Sequence, residues 1–392
     1  MLIWFGIAID LEMKNKKILH IPNFYPPHIG GIEDVCHGII SVTSDIGFEH
    51  QVMCFHDKPF TQVDDYKGIK VTRSGVVRKL FSQAISFSYR KELKAIFREF
   101  MPDIVHFHTP NPLASVYLLT TIPAQTKLIL HWHSDVVAQS FLYFFYRPIE
   151  QMLLRRASKI LVTSPTYISG SKALCQQNSE KLLVIPNTIT KEKLQLYEDE
   201  QNEVEAIKKH YSNQKIVFFF GRHVPYKGLE HLIRGIDQLY PDTVVVIAGH
   251  GPLTERLQAL AQGTNTHFVG RLSESQLRIY LHAADVFAFP SVTRNEAFGV
   301  ALAEAMYCGL PAVTFTIENS GVNWVNIANE TGLEVKNGDG EAFVEAINRL
   351  LKDDFLREHF GGKAKERASK LFVPEAIVND IVHLYNNIDQ NQ

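Results

Sequence analysis

Cysteine is scarce in this 392-residue chain, which holds four cysteines scattered along its length. Cys36, Cys54, Cys175 and Cys308 form neither a C-x-x-C pair nor any other spacing typical of metal ligands. The pattern gives no disulfide framework and no cysteine-based zinc module. It favours a protein of a reducing cytoplasm.

Long hydrophobic runs and a strong excess of one charge are also missing. No apolar run reaches the ~18–20 residues needed to span a bilayer, and the net charge of −2 argues against general nucleic-acid binding. The near-neutral total conceals unequal halves: residues 1–195 hold 22 Lys and Arg against 16 Asp and Glu, whereas residues 196–392 hold 18 against 26. A basic N-terminal half would suit an anionic membrane or a phosphate-bearing acceptor. Ordinary variation in surface charge is the alternative.

The dinucleotide-binding fingerprint G-x-G-x-x-G, with an acidic residue ~20 positions later, is absent after the first apolar strand. An NAD-dependent oxidoreductase is therefore disfavoured. What is present is the composition of a soluble globular protein, 45% hydrophobic and 21% charged. The length fits two domains of ~150–200 residues each.

Short apolar runs alternate with amphipathic stretches, which predicts two doubly wound α/β domains with parallel sheets facing a central cleft. The predicted strands cover residues 17–24, 50–55, 104–108, 127–133, 159–164, 181–187, 215–221, 243–249, 266–270, 285–290, 310–315 and 331–335. The predicted helices cover residues 31–46, 88–100, 112–121, 141–157, 228–239, 254–262, 274–283, 298–307 and 374–388.

The polar stretch 190–213 separates the two sets of strands, and it predicts a linker with at most a short helix. We expect an N-terminal domain over residues 1–190 and a C-terminal, nucleotide-binding domain over 191–373. Residues 374–392 would form a last helix that packs back toward the N-terminal domain. Residues 1–12 are expected to be an extension from an upstream start codon, with a weak membrane-contacting segment as the alternative.

The first motif with chemical meaning is GRHVPYKGLEHLI at 221–233, where a buried strand ends and a helix begins. Arg222 and Lys227 lie five residues apart on the loop between them. Arginine can bind two phosphate oxygens at once and lysine acts as a mobile point charge, so the pair suits a pyrophosphate. Two solvated loop cations are the alternative.

The second motif is RNEAFGVALAEAMYCGLP at 294–311. If a helix begins near Phe298, the amides of Phe298, Gly299 and Val300 are free to bind phosphate oxygens. Glu296 would lie just outside the helix, and Glu304 would point from its second turn toward vicinal hydroxyls. The alternative makes Glu296 a capping carboxylate and Glu304 a surface residue, but Glu304 sits in an apolar stretch where an unpaired carboxylate is costly.

The N-terminal half contributes two further groups. Gly30 and Gly31 follow the first strand and open a helix, which places bare amides at a cleft, although a structural turn is the alternative. In HWHSD (131–135), His131 and His133 point to one face of a strand, and His106 and His108 repeat that spacing. Four histidines raise a zinc hypothesis. Polar lining of the cleft is favoured instead, because no cysteine or carboxylate in the sequence pattern completes a ligand set.

With these residues the chain resembles the family 4 glycosyltransferases, which are retaining enzymes of the GT-B fold. The resemblance covers nearly the whole chain and is carried most specifically by Arg222 with Lys227 and by Glu296 with Glu304 around Phe298-Gly299. The segments IGGIE (29–33), AGHGP (248–252), FVGRLS (268–273) and TGLEV (331–335) agree in order and spacing. Within the family the chain is most similar to bacterial enzymes that build O-antigen, capsule or other lipid-linked glycans. NSGVNWVN (319–326) departs from that subgroup by having Asn323 where a proline is expected.

The resemblance implies a role for each matching residue. Arg222 and Lys227 would bind the donor diphosphate, and Glu296 would bond hydroxyls of the transferred sugar. Glu304 would accept from the ribose. The remaining residues are implied to line the donor site: His133 near the anomeric carbon, the backbone of Arg271 and Leu272 at the base, Gly249 and Gly251 where the backbone approaches closely, and the amides of Gly30, Gly31, Phe298, Gly299 and Val300.

The implied reaction moves a hexose or N-acetylhexosamine from a UDP-sugar or GDP-mannose to a saccharide acceptor on a lipid. No metal or other cofactor is expected, because the chain has no D-x-D motif and its cations with helix amides can stabilise the leaving diphosphate. Front-face attack with retained configuration is implied; double displacement through Glu296 is the rival route. A nucleotide-sugar epimerase of the same fold and a non-catalytic nucleotide-sugar binding protein are the alternative functions.

Two aromatic and basic stretches of the N-terminal half are candidates for the acceptor side. One is Arg78-Lys79-Leu80-Phe81 with the segment 87–98, and the other is SFLYFFYRP at 140–148. Both suit peripheral contact with the inner face of the cytoplasmic membrane. The alternative places these aromatic residues in the core between sheet and helix.

Overall fold

The structure is a computed structural model that describes residues 16–28, 30–80, 83–136 and 140–389. The predicted extension over residues 1–12 and the aromatic Phe81 lie outside these ranges, and the side chains of residues 79, 80, 83 and 140–142 are likewise not described.

Two parallel sheets form the framework, as the alternating pattern predicts. The first has eight strands in the order β10-β9-β8-β7-β1-β2-β4-β3, and all of its neighbours are parallel except β3 with β4. Its strands are β1 (Lys17–Ile21), β2 (Glu49–Phe55), β3 (Gln62–Tyr66), β4 (Ile69–Ser74), β7 (Ile104–Thr109), β8 (Lys127–Trp132), β9 (Lys159–Val162) and β10 (Leu182–Val184), and a separate hairpin joins β5 (Arg78–Leu80) to β6 (Gln83–Ile85).

The second sheet has six parallel strands in the order β13-β12-β11-β14-β15-β16. They are β11 (Lys215–Phe220), β12 (Thr243–Ala248), β13 (Thr266–Gly270), β14 (Val286–Phe289), β15 (Ala312–Phe315) and β16 (Gly332–Val335). In both sheets the strand order reverses at one point, beside β1 in the first and beside β11 in the second. Ligands of open α/β sheets bind outside the carboxyl ends of strands at such points.

Helices connect the strands and cover the sheets. They are α1 (Gly31–Ser44), α2 (Tyr89–Glu99), α3 (Pro112–Leu119), α4 (Ser140–Arg156), α5 (Pro165–Gly170), α6 (Lys191–Leu194), α7 (Gln201–His210), α8 (Leu229–Arg234), α9 (Thr254–Leu260), α10 (Glu274–Ala283), α11 (Val300–Tyr307), α12 (Val322–Val325), α13 (Gly340–Lys352), α14 (Asp354–Leu371) and α15 (Pro374–Asn387). Among the described residues, none of these helices has the length and apolar character needed to cross a bilayer.

The last helix, α15, packs on the first sheet rather than on the second. Ile377, Ile381 and Tyr385 share an apolar cluster with Ile18 of β1 and Val35 of α1. The chain therefore crosses back to the first sheet after completing the second. The exact domain boundaries at 190/191 and 373/374 stay predictions.

Several elements differ from the sequence-based expectation, and three of them are instructive. The antiparallel pair β3–β4 was not predicted, because its strands are polar and partly exposed and turn at Lys67-Gly68 with positive φ angles of 52° and 84°. Helices α13 and α14 were missed, although Asp339 and Asp353 cap their N-termini by accepting from backbone N–H groups. The predicted helix 228–239 instead ends at Arg234, before Gly235.

Candidate active site

The loop that follows β11 brings the predicted cations to the carboxyl edge of the second sheet. Arg222 is exposed, whereas Lys227 is buried at the end of a short turn. A β-carbon at Gly249 would collide with the carbonyl oxygen of Gly221, and one at Gly251 would collide with that of His223. The two glycines therefore let the loop after β12 lie directly against the cationic loop. The close approach in this structure is between two backbone segments of the protein.

Lys227 and Glu296 form an ion pair in which both side chains are almost entirely buried, with 8% and 12% of their surface exposed. Ser291 Oγ donates a further hydrogen bond of 3.1 Å to Glu296 Oε2. The ammonium group of Lys227 also lies 4.8 Å from the centre of the Phe289 ring. A cation over an aromatic ring and beside a carboxylate is held in one place, so Lys227 is preorganised at the cleft.

The electrostatics of Tyr226 show that the charged residues are neighbours. Burial raises the pKa of its hydroxyl, the positive charge of Lys227 opposes the rise, and Glu296 adds to it. Arg222 also lowers the pKa of this hydroxyl. The two cations and the carboxylate are therefore close enough to act on the same tyrosine hydroxyl.

The helix α11 begins at Val300, two residues later than predicted. Phe298 is buried against Trp324 and Phe372 instead of opening the helix. Gly299 takes the N-cap position at φ 89°, a left-handed conformation that favours glycine. The amides free of helical acceptors thus run from Gly299 onward. The predicted binding role of the Gly299 and Val300 amides stays a prediction, whereas the predicted helix start at Phe298 is wrong.

The helix start lies beside Lys227, because a β-carbon at Gly299 would sit 3.1 Å from the Phe289 ring that the ammonium group covers. The start of α11 also faces the start of α1 in the first domain, since a β-carbon at Gly31 would be 3.3 Å from Val300 Cγ2. The N-termini of α1 and α11 therefore meet across the cleft. Two helix N-termini with a nearby cation make a strong site for an anion.

Glu33 occupies part of that space. Its carboxylate lies where a β-carbon of Gly30 would be, and 3.9 Å separates Glu33 Oε1 from His28 Nδ1. Burial raises the pKa of Glu33 to about 7; Asp34 adds to the rise, while backbone N–H groups, including that of Phe24, oppose it. Glu33 belongs to the IGGIE segment, but no role was predicted for it from the sequence.

Glu304 projects from the second turn of α11 and is half-buried. Burial raises its pKa to about 8, with Asp34 raising it further and Lys193 opposing the rise. Among the described residues the carboxyl group of Glu304 forms no hydrogen bond or ion pair, whereas Lys193 binds Asp34 and Glu274, each at 2.9 Å. A carboxyl group with open oxygens at this position can accept from hydroxyl groups. Arg271 and Leu272 follow β13 near this region, where the N–H of Gly249 donates to Gly270 over 2.6 Å.

His133 lies at the end of β8 with both ring nitrogens bound to the protein. Nδ1 lies 3.1 Å from Asn187 Oδ1, and Nε2 lies 2.9 Å from His108 Nδ1. Burial lowers the pKa of His133 to about 4, so the imidazole is neutral at pH 7. Both ring nitrogens are engaged by protein groups in this arrangement, and the role of His133 toward a sugar stays a prediction.

The other histidines do not line the cleft as the sequence suggested. His106, His108 and His131 are fully buried in the first sheet, together with His20 and His50. Burial is the main reason that the pKa of each is lowered, so all are neutral. Because alternate residues of a strand share a face, the spacing predicted their common side correctly but not that the face is covered by helices.

An ion pair that the sequence analysis missed joins the two sheets' loops. Arg294 Nη2 binds Asp135 Oδ2 at 2.7 Å, and its guanidinium group also donates to the carbonyl of Gly170. Asp135 in turn accepts from Trp132 and Ser171. Arg294 lies two residues before Glu296 and Asp135 two after His133, so proximity to both motifs was the available signal.

Comparison with known proteins gives consistent results across the chain. Residues 29–193 match the family model described as Glycosyltransferase Family 4, and residues 200–367 match the model described as Glycosyl transferases group 1. The chain is 30% identical over 364 residues to the D-rhamnosyltransferase WbpZ of Pseudomonas aeruginosa, covering 91% of this chain and 92% of that protein. It is 26% identical over 376 residues to the O-antigen chain mannosyltransferase C of Escherichia coli, covering 95% and 98%.

Solved structures match over nearly the full length. The sucrose-phosphate synthase of Thermosynechococcus elongatus superposes with a TM-score of 0.78 at 20% identity, covering 96% of this chain and all of the other. Anabaena HepE, in complex with UDP and glucose, superposes with a TM-score of 0.75 at 19% identity, covering 95% of this chain and all of the other. At these identities the likeness concerns the fold.

Proposed function

This chain belongs to the family 4 glycosyltransferases, with the GT-B fold, and we propose that it transfers a mannose-type hexose from a GDP-sugar with retention of anomeric configuration. The donor class is supported by relatives named as mannosyl- or D-rhamnosyltransferases, one of them GDP-mannose-dependent. A UDP-sugar with a hexose or N-acetylhexosamine is the second donor class to be tested. The acceptor is a saccharide carried on a lipid, as in the synthesis of a bacterial surface polysaccharide.

The meeting of two helix N-termini beside Lys227 is the observation that carries the proposal. Gly31 and Val300 bring the two helix starts into contact distance, and the Phe289 ring connects Gly299 to Lys227. A diphosphate bound there would receive backbone N–H groups from both sides and a positive charge from the loop. The site therefore stabilises the charge that grows on a leaving nucleotide.

The same geometry supports roles for the neighbouring groups. Arg222 is exposed next to Lys227 and is free to bind two phosphate oxygens in a fork when a donor enters. Glu296 is already held by Lys227 and Ser291, which orients its remaining oxygen toward the sugar. We assign Glu304, with open oxygens, to the ribose hydroxyls and the backbone near Arg271 to the base.

The reaction that we propose needs no metal at the diphosphate. Arg222 and Lys227 would supply positive charge and the helix amides partial positive charge. Together they would neutralise the diphosphate, as a divalent ion does in other enzymes. The leaving diphosphate accepts the proton of the attacking hydroxyl on the same face of the sugar. Attack by Glu296 would require it to leave Lys227, and such a double displacement predicts a covalent glycosyl-enzyme intermediate.

The experiment is to incubate the purified chain with GDP-mannose, GDP-rhamnose, UDP-glucose and UDP-N-acetylglucosamine, each with and without a lipid-linked saccharide. We expect release of GDP that depends on the acceptor, a product with retained configuration by NMR, and rates unchanged by EDTA or added Mg²⁺. Arg222→Ala should lower turnover at least ~100-fold, whereas Arg234→Ala, an exposed arginine of α8 outside the site, should leave it unchanged. Equal rates for both variants would contradict the assigned site, and donor consumption without an acceptor would favour the epimerase alternative.

We also propose that the first domain contacts the cytoplasmic face of the membrane through the aromatic side chains of α4. Phe144 and Phe145 are exposed by 72% and 59%, near Arg147, whereas the next residue, Tyr146, is buried. Phe87 is exposed as well, while Tyr89 is in the core. The two aromatic stretches therefore divide between surface and interior, and the exposed part suits the headgroup region of an anionic bilayer.

Sedimentation with vesicles that contain anionic lipid tests this contact. Replacing Phe144 and Phe145 together by serine should reduce the bound fraction several-fold, because both apolar rings would be lost from the interface. Phe355→Ser is the matched control, since Phe355 is exposed by 80% on α14 of the second domain. If both variants bind vesicles equally well, the contact lies elsewhere.

A further inference from the structure

A chain of hydrogen bonds fixes the proton positions of two buried histidines of the first domain. The hydroxyl of Thr43 donates to the carbonyl oxygen of Ile39 over 2.6 Å and lies 3.0 Å from His50 Nε2. Because the hydroxyl proton is used, His50 Nε2 must be the donor in that contact, which leaves His50 Nδ1 as an acceptor. His20 Nε2 lies 3.2 Å from this atom and therefore carries the proton. His20 Nδ1 is left as a bare lone pair.

A second series of hydrogen bonds leaves another buried imidazole nitrogen of the first domain unprotonated and without a partner among the described residues. The amide oxygen of Asn187 accepts from His133 Nδ1, so His133 Nε2 is an acceptor. His108 Nδ1 lies 2.9 Å from that atom and donates to it. His108 Nε2 is consequently a second bare lone pair. Neither His20 Nδ1 nor His108 Nε2 has a hydrogen-bond partner among the described residues, although both side chains are fully buried.

The thiol of Cys36 completes the group. Cys36 is fully buried in the second turn of α1, and one ligand atom each from His20, Cys36 and His108 lies within 4.8 Å of the others. Each unpaired imidazole lone pair in a dry interior is unfavourable, because the nitrogen has lost its bond to water without gaining a partner, so an occupant that accepts the lone pairs is expected. Two neutral imidazoles and a thiol are typical ligands of thiophilic cations.

We propose that His20, Cys36 and His108 bind a thiophilic d¹⁰ cation, Zn²⁺ or Cu⁺, as a structural site inside the first domain. Tetrahedral coordination would place the ligand atoms ~3.5 Å apart, so side-chain adjustments of about an ångström close the site. The buried His131 Nε2, also without a partner among the described residues, belongs to a second group with His108 and is the candidate fourth ligand. This site is separate from the diphosphate and does not rest on the donor chemistry.

Metal binding here would connect three elements that shape the cleft. The cation joins β1 and β7 to α1, whose first residues are Gly31 and the adjacent anion-binding amides. It would also hold His108 with its Nδ1 proton directed at His133; at other metal sites, too, the ring nitrogen of a ligating histidine that does not bind the metal donates a hydrogen bond that orients the ring. Sequence pattern alone could not reveal the ligand set, because Cys36 lies in a helix and reaches the histidines only through packing.

Metal content measured by mass spectrometry on the tag-free full chain tests the site. The protein would be unfolded with a strong chelator and refolded with Zn²⁺, with Cu⁺ under reducing conditions, or without metal. We expect one tightly held equivalent after refolding with one of the cations, and a melting temperature several degrees above that of the metal-free chain. An unchanged melting temperature with no retained metal in either arm would overturn the proposal.

Variants locate the ion. Cys36→Ala should lower the affinity for the cation at least ~10-fold and abolish the thiolate-to-metal absorption of the Co²⁺-loaded protein. Cys54→Ala is the matched control, because Cys54 is equally buried in β2 but lies outside the ligand group. Retention of metal and of the Co²⁺ thiolate absorption by Cys36→Ala would place the ion elsewhere and refute this site. The refolding of the unaltered chain decides the question even if a variant fails to fold.

Discussion

The two sheets of this molecule both bury apolar clusters, but they differ in the polarity of one buried face. The second sheet buries mainly aliphatic and aromatic side chains, and its charged groups appear where strands end, at Arg222, Lys227 and Glu296. One face of the first sheet instead buries a row of neutral imidazoles that extends to His133. Under the proposed function, the second domain would act on the donor through fixed charges on an apolar base, whereas the first domain would act through hydrogen bonds. Substitutions in the two domains should therefore differ in their effects on turnover, donor affinity and stability.

The largest effect is expected from breaking the charge pair on the donor side. Lys227→Met should reduce turnover ~1,000-fold, because the positive charge beside the diphosphate is removed. It should also destabilise the fold by about 3 kcal/mol, because Glu296 is left buried without its counter-ion. Turnover assays and urea unfolding measure the two effects.

The double variant Lys227→Met/Glu296→Gln separates stability from catalysis. Replacing both charges by neutral groups should recover most of the lost stability while activity stays low. Turnover near that of the unaltered chain in Lys227→Met would show that the donor side does not depend on this charge.

A smaller effect is expected from removing the hydrogen bond between Asn187 and His133 in the first domain. Asn187→Leu removes the acceptor of His133 Nδ1 in a buried position, which should destabilise the fold by ~1–3 kcal/mol. We expect kcat to fall about tenfold through misorientation of His133, while the affinity for GDP measured by calorimetry stays constant. Asn187→Asp retains an acceptor and should keep most of the turnover. If the affinity for GDP falls together with kcat, the hydrogen bonds of His133 also contribute to donor binding, and the proposed division of roles between the two domains is wrong.

The same contrast explains what could be predicted from sequence. Buried parallel strands such as β11 and β12 appear as uninterrupted apolar runs, so the second sheet and its loop residues could be placed within one or two positions. The histidine pairs showed their shared face but not their burial, because burial depends on α1 and α15, and α15 is distant in the chain. The partners Lys227–Glu296 and Arg294–Asp135 are 69 and 159 residues apart, and no local pattern links such residues.

Removing the ion pair between Arg294 and Asp135, which joins the two domains, should have a modest effect on KM for the donor. Arg294→Met removes the ion pair with Asp135, which is partly exposed and therefore weak by itself. Because this pair joins loops of the two domains next to His133 and Glu296, we expect KM for the donor to rise about threefold with little change in unfolding free energy. Asp135→Asn should act similarly, and the double variant should be no worse than either one. Additive effects would mean that the two residues act independently.

The smallest expected effect concerns pH and Glu33, a titratable group of the first domain that faces the anion site. Glu33 lies over Gly30 with a pKa raised to about 7, so it is largely protonated below pH 7 and ionised above it. A diphosphate at the adjacent amides favours the protonated form by electrostatic repulsion. Donor binding therefore takes up a proton, and its Kd should rise as pH increases through 7, by about twofold if the bound pKa is ~0.3 unit higher.

Calorimetry with an intact GDP-sugar measures this dependence without interference, because its diester phosphates do not titrate in the range. Glu304, with its pKa of about 8, and the pair of Asp34 with Lys193 also lie in the cleft and remain in both proteins. Comparison of the unaltered chain with Glu33→Gln therefore isolates Glu33, and the variant should lose most of the change between pH 6 and 8. An identical pH profile in both would mean that the anion lies away from Gly30, on the side of α11. The first domain would then act on the donor through hydrogen bonds alone, which would make the contrast between the two sheets complete.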